Sequence, residues 1–89
     1  MGELRFAPDA FSGVSHPEDE RILKKIEGLW EYRNIIVHHP LRYELSGYYK
    51  RRLGKYRIVY SYDENTDEMI IHLAGIRDSI YKDATKKLS

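Results

Sequence analysis

The feature of this sequence that most constrains its fold is a change of hydrophobic period at Pro40. Before Pro40, the apolar residues Ile22, Ile26 and Leu29 recur at helical spacing with charged residues between them. This spacing is typical of an amphipathic helix, which we predict over Pro17–Arg33. After Pro40 the sequence changes to the short, alternating pattern of strands. The two halves of the chain are therefore expected to build different kinds of structure.

The second half contains three runs that are rich in tyrosine and β-branched residues. A Gly-Lys pair separates the first two runs, and a polar segment separates the last two. Glycine and short polar segments between such runs are typical of hairpin turns. The sequence therefore predicts an antiparallel meander of three strands, over Tyr48–Leu53, Tyr56–Tyr62 and Met69–Ile76.

The remaining elements are short. Glu3–Phe6 has the composition of an opening strand, and a brief first helix is expected to begin near Pro8. Ser15 and Glu18 fit a capping box at the start of the second helix. Lys82–Leu88 returns to helical composition. The order β-α-α-β-β-β-α predicts a single α+β domain over residues 1–89, with two N-terminal helices packed on the meander and a helix at the C-terminus.

Composition excludes several classes of chemistry. The 89 residues include no cysteine, which excludes disulfides, thiol catalysis and cysteine-based zinc sites. The four histidines have no metal-ligand spacing, so we expect neither a metal nor a cofactor. No apolar run approaches the length that spans a bilayer, and we expect a cytoplasmic protein.

The net charge of +1 conceals an uneven distribution. Residues 1–47 carry six basic and eight acidic side chains, whereas residues 48–89 carry nine and six. The segment from Tyr48 to Tyr62 contains five cations and no acid. Cations held this close together on a strand favour binding of phosphate, although a solvated basic strand would have the same composition. The cations are Lys50, Arg51, Arg52, Lys55 and Arg57.

Two segments resemble the RelE/ParE toxin superfamily. Leu45–Tyr60, which reads LSGYYKRRLGKYRIVY, resembles the family core L-x-G…R-x-G-D-Y-R-I-I-Y. Gly75–Tyr81 is similar to the closing element G-[HK]-R…V-Y. The opening segment Phe6–Ala10 and the helix around Arg21–Ile26 also fit, so the resemblance covers nearly the whole chain. Two departures are Lys55, where the family has aspartate, and Ile76, where many relatives have histidine or lysine.

The resemblance implies an activity and its partners. RelE-type members are ribosome-dependent mRNA endonucleases, the toxin halves of type II toxin–antitoxin pairs. We therefore expect mRNA and the ribosome as partners, together with a small, acidic antitoxin. The alternatives are a ParE-like toxin that blocks DNA gyrase without cutting RNA, and a catalytically idle relative that only binds a partner or RNA.

The resemblance also implies site residues. His39 stands where the YoeB-like branch has a catalytic glutamate, and Tyr81 matches the tyrosine that follows the last strand. The residues implied as catalytic are Lys50, Arg52, Arg57, Arg77, Tyr81 and His39, and those implied in substrate binding are Tyr48, Arg51 and Lys55.

Metal-independent RNA cleavage needs few groups. The 2′-hydroxyl must lose a proton and attack the adjacent phosphate, while the protein stabilises the charge that develops. Arg57 and Arg77 suit charge stabilisation because guanidinium groups stay ionised and make forked contacts. Either Lys50 or His39 could be the base. Tyr81 could donate a proton or stack on a nucleobase.

Overall fold

The structure, a computed structural model, describes residues 2–88 and contains a five-stranded sheet with one helix on each face. The sheet order is β1-β5-β4-β3-β2, in which β1 lies parallel to β5 and all other pairs are antiparallel. The α+β class and the meander β3-β4-β5 are confirmed, but the sheet is mixed. The strands are β1 (Glu3–Phe6), β2 (His39–Pro40), β3 (Tyr49–Leu53), β4 (Tyr56–Asp63) and β5 (Glu68–Ile76), and the helices are α1 (Asp19–Glu31) and α2 (Arg77–Leu88).

The hairpin between β3 and β4 has a two-residue turn. Leu53 pairs with Tyr56, and Gly54 between them has a φ of +55°. Because a positive φ is strained for residues with a Cβ, glycine at the first turn position permits this tight connection. The turn fixes the register of β3 against β4, and this register decides which basic side chains are neighbours.

A β-bulge lies in the middle of the hairpin between β4 and β5. Val59 pairs with Leu73 and Tyr60 pairs with Ile71, which leaves His72 without a cross-strand partner. A bulge places two consecutive side chains on the same face of the sheet. His72 and Leu73 therefore both face α2, whereas Ile71 faces α1.

The core has two parts, one on each face of the sheet. Ile22, Ile26 and Leu29 of α1 pack on one face of the sheet, and Ile80 and Ala84 of α2 pack on the other. Burying a large aliphatic side chain contributes about 1.5–3 kcal/mol, so both layers stabilise the sheet. The sheet residues buried against α1 are Tyr56, Ile58, Tyr60, Met69, Ile71 and Ala74, and those against α2 are Val59 and Leu73.

The short first helix predicted near Pro8 is wrong. Residues 8–14 form successive turns that run along β5. The amide of Ala7 donates to the carbonyl oxygen of Ile71 at 2.9 Å, and the carbonyl oxygen of Ala10 accepts from Ala74 at 2.7 Å. The amides of Ala10, Ser12 and Val14 each donate to the carbonyl oxygen three residues earlier at 3.1 Å, so the segment is a series of single turns attached to β5 and not a continuous helix.

Both helix starts also differ from the prediction. α1 is preceded by one 3₁₀ turn over His16–Glu18, in which the Glu18 amide donates to the Ser15 carbonyl oxygen at 2.9 Å. Ser15 makes no side-chain capping bond, and the Glu18 carboxylate pairs with Arg21 at 3.0 Å, so the predicted capping box is absent. α2 begins at Arg77, five residues before the predicted start. Within residues 2–88, neither helix is long and apolar enough to cross a membrane.

Candidate active site

Three neighbouring strands place four basic side chains on the sheet face that α2 partly covers. His39 of β2 lies opposite Lys50 of β3, and Arg52 of β3 lies opposite Arg57 of β4. Residues directly opposite each other project to the same face, and so do residues two apart on a strand. The four side chains line one open pocket of about 280 Å³.

Arg57 is the buried member of this group, with 8% of its surface exposed. Its Nη1 donates to the carbonyl oxygens of Gly54 at 2.7 Å and Tyr56 at 2.8 Å. Within residues 2–88, no carboxylate forms an ion pair with it. A buried cation without a counter-ion is costly, so this position favours an anion that enters the pocket.

The other three basic side chains are exposed at the pocket rim. His39, Lys50 and Arg52 form no ion pair with any acidic side chain in the described part of the chain. Together with Arg57 they surround the pocket with three cationic side chains and one imidazole. A phosphate group is the anion that such a cluster fits best, because its oxygens can accept from several donors at once.

Arg77 and Tyr81 do not line the pocket. The Arg77 amide donates to the carbonyl oxygen of Lys55 at 2.8 Å, which starts α2 beside the β3–β4 turn. Its exposed side chain lies 3.7 Å from Asp78. Tyr81 is half-buried and packs against the core cluster beneath α2. Both residues lie on the same side of the sheet as the pocket but outside it.

The three residues predicted to bind substrate are dispersed. Arg51 projects to the α1 face, as strand alternation predicts, and its Nη1 donates to the Val37 carbonyl oxygen at 3.3 Å. The ring of Tyr48 packs edge-on against His72, with 5.0 Å between centroids. Lys55 lies in the turn, its Nζ 5.6 Å from the centroid of the Tyr56 ring. None of the three lines the pocket.

The two adjacent histidines belong to different faces of the sheet. His38 Nε2 donates to the carbonyl oxygen of Arg33 at 2.9 Å, so in the neutral ring Nδ1 accepts a hydrogen bond from the Tyr60 hydroxyl. Burial raises the pKa of Tyr60 to about 12, which keeps this hydroxyl protonated. His38 is thus fixed inside the α1 face, which leaves His39 as the histidine of the pocket.

A second polar cluster was not predicted from the sequence. Arg33 donates to both carboxylate oxygens of Asp67, at 2.7 and 2.8 Å, and the Tyr62 hydroxyl donates to the same carboxylate at 2.7 Å. These bonds hold the pKa of Asp67 well below its usual range. The cluster joins the end of α1 to the β4–β5 turn, and it is structural. The sequence gives little indication of this cluster, because Arg33 and Asp67 are 34 positions apart in the chain.

The described residues contain no group of three or more His, Asp or Glu side chains placed to hold a metal ion.

Solved structures provide the relevant comparisons, since no protein-family model and no curated protein matches the chain. The toxin–antitoxin complex RelBE2 from Mycobacterium tuberculosis is 28% identical, with a TM-score of 0.62, over 85% of this chain and 91% of that chain. The isolated RelE toxin of E. coli is 23% identical, with a TM-score of 0.65, over the whole of both chains. The RelB–RelE complex from Methanococcus jannaschii is 24% identical, with a TM-score of 0.60, over 86% and 94%.

The small mixed sheet between two helices is thus the fold of RelE toxins. The 28% identity with the RelBE2 chain supports placing this chain in the RelE-like toxin superfamily.

Proposed function

We propose that this chain is the toxin of a type II toxin–antitoxin pair. Its structural similarity to chains of RelBE toxin–antitoxin complexes from a bacterium and an archaeon supports this role. The implied protein partner is a cognate antitoxin, and the implied location is the cytoplasm.

We further propose that the toxin is a ribosome-dependent, metal-independent endoribonuclease that cleaves mRNA. The observation that carries this proposal is the buried guanidinium of Arg57, which has no acidic partner in the described chain and lies among three exposed basic side chains. This arrangement suits a phosphodiester, whose charge increases in the transition state. Stabilising that developing charge is the main contribution that a protein without a metal can make.

The reaction that this pocket supports is attack of the 2′-hydroxyl on the adjacent phosphate. A bond forms between O2′ and phosphorus, and the bond from phosphorus to O5′ breaks. The products are a 2′,3′-cyclic phosphate and a 5′-hydroxyl. Arg57 and Arg52 would hold the non-bridging oxygens with forked contacts, so that the negative charge on the phosphorane lies between two guanidinium groups.

Proton transfer is assigned to the other two pocket residues. Histidine is the side chain best suited to accept a proton near neutral pH, and His39 is the histidine of the pocket. Lys50, directly opposite on β3, carries a proton that it can donate to the leaving O5′. The 2′-hydroxyl proton thus passes to His39, and the leaving oxygen receives its proton from Lys50.

Alanine variants of the exposed pocket cations test the proposal without disturbing the core. Lys50→Ala and Arg52→Ala are each expected to lower cleavage of translated message by about 10²–10³-fold, because Lys50→Ala removes the general acid and Arg52→Ala removes a charge-stabilising group. Lys86→Ala, which removes an exposed cation near the end of α2, is the matched control and should retain activity. Primer extension on ribosome-bound message measures the effect, and induced growth arrest provides a second readout.

Three results would overturn the proposal. If both pocket variants cleave RNA as fast as the parent, the pocket takes no part in the reaction. Ribosome binding without any 2′,3′-cyclic phosphate would indicate an idle relative. Inhibition of DNA supercoiling by gyrase without RNA cleavage would indicate a ParE-like inhibitor.

A further inference from the structure

The outer edge of β1 is an unpaired strand edge. β1 lies at one end of the sheet order and pairs only with β5. The amides of Glu3 and Ala7 donate to carbonyl oxygens on the β5 side, at 3.0 and 2.9 Å. Because the backbone groups of alternate residues point to opposite sides of a strand, those of Leu4 and Phe6 point away from the sheet. No backbone hydrogen bond within residues 2–88 reaches these outward groups.

The side chains of β1 alternate between the two faces of the sheet. Leu4 packs against the core beneath α1, so Glu3 and Arg5 project to the other face. Glu3 and Arg5 expose 67% and 56% of their side chains. Arg5 Nη1 donates to the Glu68 carboxylate at 2.6 Å and lies 4.0 Å from the Glu3 carboxylate. The exposed edge therefore carries one acid and one base, two residues apart on the same face.

This edge is open to a second copy of itself. Strand edges in proteins are commonly protected by charges of one sign, by proline or by a bulge. Residues 3–6 contain no proline, and their two charges have opposite signs. A copy of the same strand can therefore approach without net repulsion between the charged side chains.

Backbone geometry and charge together select one register for such a pair. In a symmetric antiparallel pair, one residue lies opposite itself on the two-fold axis, and outward backbone groups face each other. An axis at Glu3 or Arg5 places like charges opposite each other, which is unfavourable. An axis at Phe6 places Leu4 opposite Pro8, which has no amide hydrogen. An axis at Leu4 avoids both problems and places Glu3 of each copy opposite Arg5 of the other.

We propose that this chain forms a symmetric dimer in which the β1 strands of two copies pair antiparallel about Leu4. The Leu4 amide of each copy donates to the Leu4 carbonyl oxygen of the other. Glu3 and Arg5 form two equivalent ion pairs across the axis, and the neighbouring strand covers part of Phe6, which is 44% exposed in the single chain. The sheet then continues through both copies.

The dimer does not depend on the proposed function. β1 and β2 form the two opposite edges of the sheet, and the basic pocket lies beside β2. Pairing through β1 therefore leaves the pocket of each copy open. Loss of the dimer should leave cleavage of RNA unchanged.

Two other occupants fit this edge less well. A nucleic acid would place phosphates beside the carboxylates of Glu3 and Glu68, which repel them. An extended segment of an unrelated protein could use the same backbone groups. However, only a copy of β1 supplies, by symmetry, an arginine opposite Glu3 and a glutamate opposite Arg5. Both occupants become outcomes of the test.

Sedimentation of the full, purified chain over a wide range of protein concentration tests the proposal. A contact through one short strand is small, so the dimer is expected to form reversibly and to dissociate on dilution. The average mass should rise from 10.6 kDa toward twice that value as the concentration increases.

Two charge variants test the register. Glu3→Arg leaves only bases at the two paired positions, and Arg5→Glu leaves only acids, so each variant alone should dimerise about tenfold more weakly or worse. An equimolar mixture of the two should dimerise within about threefold of the parent, because the mixed dimer has opposite charges at both pairs. Glu44→Arg, which makes the same charge change at an exposed site far along the chain, is the control and should dimerise like the parent. Circular dichroism confirms that each variant is folded.

A second pair of variants tests the backbone contact. Leu4→Ala and Leu4→Pro both remove the leucine side chain, but only proline also removes the outward amide hydrogen. Leu4→Pro should therefore dimerise about tenfold more weakly than Leu4→Ala, the effect of losing the reciprocal hydrogen bonds on the axis.

Several results would overturn the proposal. A parent chain that stays monomeric at every concentration leaves the edge to a segment of another protein, and dissociation of the dimer by single-stranded RNA leaves it to a nucleic acid. A mixture of Glu3→Arg and Arg5→Glu that dimerises no better than either variant alone excludes the Leu4 register. Equal dimerisation of Leu4→Ala and Leu4→Pro excludes pairing through the backbone. Glu3→Arg should cleave ribosome-bound message like the parent, so loss of the dimer and failure of the proposed nuclease activity are separate results.

Discussion

Arg52 on β3 lies directly opposite Arg57 on β4, and neither guanidinium forms an ion pair with a carboxylate of the described chain. Like charges at directly opposite positions destabilise a sheet. Lys50, two residues before Arg52, adds a third cation on the same face. Repulsion among these three cations lowers the free energy of unfolding of the domain. An anion bound in the pocket would offset this repulsion.

Arg52→Thr is therefore expected to stabilise the fold while impairing the activity. Threonine suits an exposed strand position, and loss of the repulsion should raise the free energy of unfolding by roughly 0.2–1 kcal/mol. Urea denaturation measures this gain, and cleavage of translated message should fall in the same variant. The charge-preserving Arg52→Lys is the control. A destabilised Arg52→Thr chain would show that the two arginines do not repel each other appreciably.

His39→Ala should change the pH dependence of cleavage as well as its rate. If His39 is the base, the parental rate rises with pH as the imidazole loses its proton, and this rise disappears in the variant. The rate itself should fall by about 10²–10⁴-fold, the range for loss of a general base. If His39→Ala has the same pH profile as the parent, Lys50 and not His39 is the base.

Asp67→Asn should lower stability at neutral pH and matter less in acid. The bonds from Arg33 and Tyr62 lower the pKa of Asp67 in the folded state. A lowered folded pKa gives stability that is complete above the ordinary aspartate pKa of about 3.9 and is lost as pH falls below it. Asparagine tolerates the positive φ of 54° at this position, so backbone strain does not confuse the result.

Urea midpoints of the parent and Asp67→Asn, compared between neutral pH and strong acid, measure this effect. The two midpoints should approach each other as pH falls below about 4. A gap that stays constant with pH would mean that Asp67 stabilises the turn by its conformation and not by its charge.

Two glycine-to-alanine substitutions should have opposite signs. Gly28→Ala adds a methyl group into open space on a helix and should stabilise the fold by about 1 kcal/mol. Gly47 also has open space but has a φ of +95°, so Gly47→Ala should destabilise by about 1 kcal/mol or more. Thermal unfolding of both variants checks the pair. Destabilisation by Gly28→Ala would contradict the view that this glycine has no role in the fold.

Local signals in the sequence predicted the meander well. The turn at Gly54 and the alternation of β3 placed Lys50 and Arg52 on one face and Arg51 on the other, as the structure shows. The parallel pairing of β1 with β5 was not predicted, because it joins residues more than 60 positions apart. Local sequence patterns cannot predict a pairing between strands so far apart in the chain.

The candidate active site, like the fold, could be predicted from the sequence only where local signals determine it. The basic residues of β3 and β4 meet because their register is set by a short turn. The position of His39 beside Lys50 depends on β2, a two-residue strand with no periodicity to detect. Arg77 directly follows the predicted last strand, and the hydrogen bond from its amide to the Lys55 carbonyl oxygen starts α2 there. Arg77 lies outside the pocket because of this hydrogen bond, which local sequence patterns do not indicate.

His72 provides a further test, because it links the β-bulge to the end of α2. Its Nε2 lies 2.9 Å from the Ser61 hydroxyl, and its carbonyl oxygen accepts from Lys87 Nζ at 2.8 Å. Burial lowers the pKa of His72, and the nearby positive charge of Lys87 lowers it further. A lowered histidine pKa means that stability is complete above the ordinary value of about 6.5 and is lost as pH falls through the folded value.

Lys87→Gln is expected to raise the pKa of His72 toward its ordinary value without restoring it fully. Glutamine retains an N–H donor but removes the charge, so the electrostatic cause is lost while burial, the larger cause, remains. The loss of stability in mild acid should accordingly become smaller. Titration of the imidazole protons by NMR measures the pKa, with Lys86→Gln as the control that removes an exposed neighbouring charge. Equal shifts in both variants would show that the net charge of α2, and not the contact from Lys87, controls this histidine.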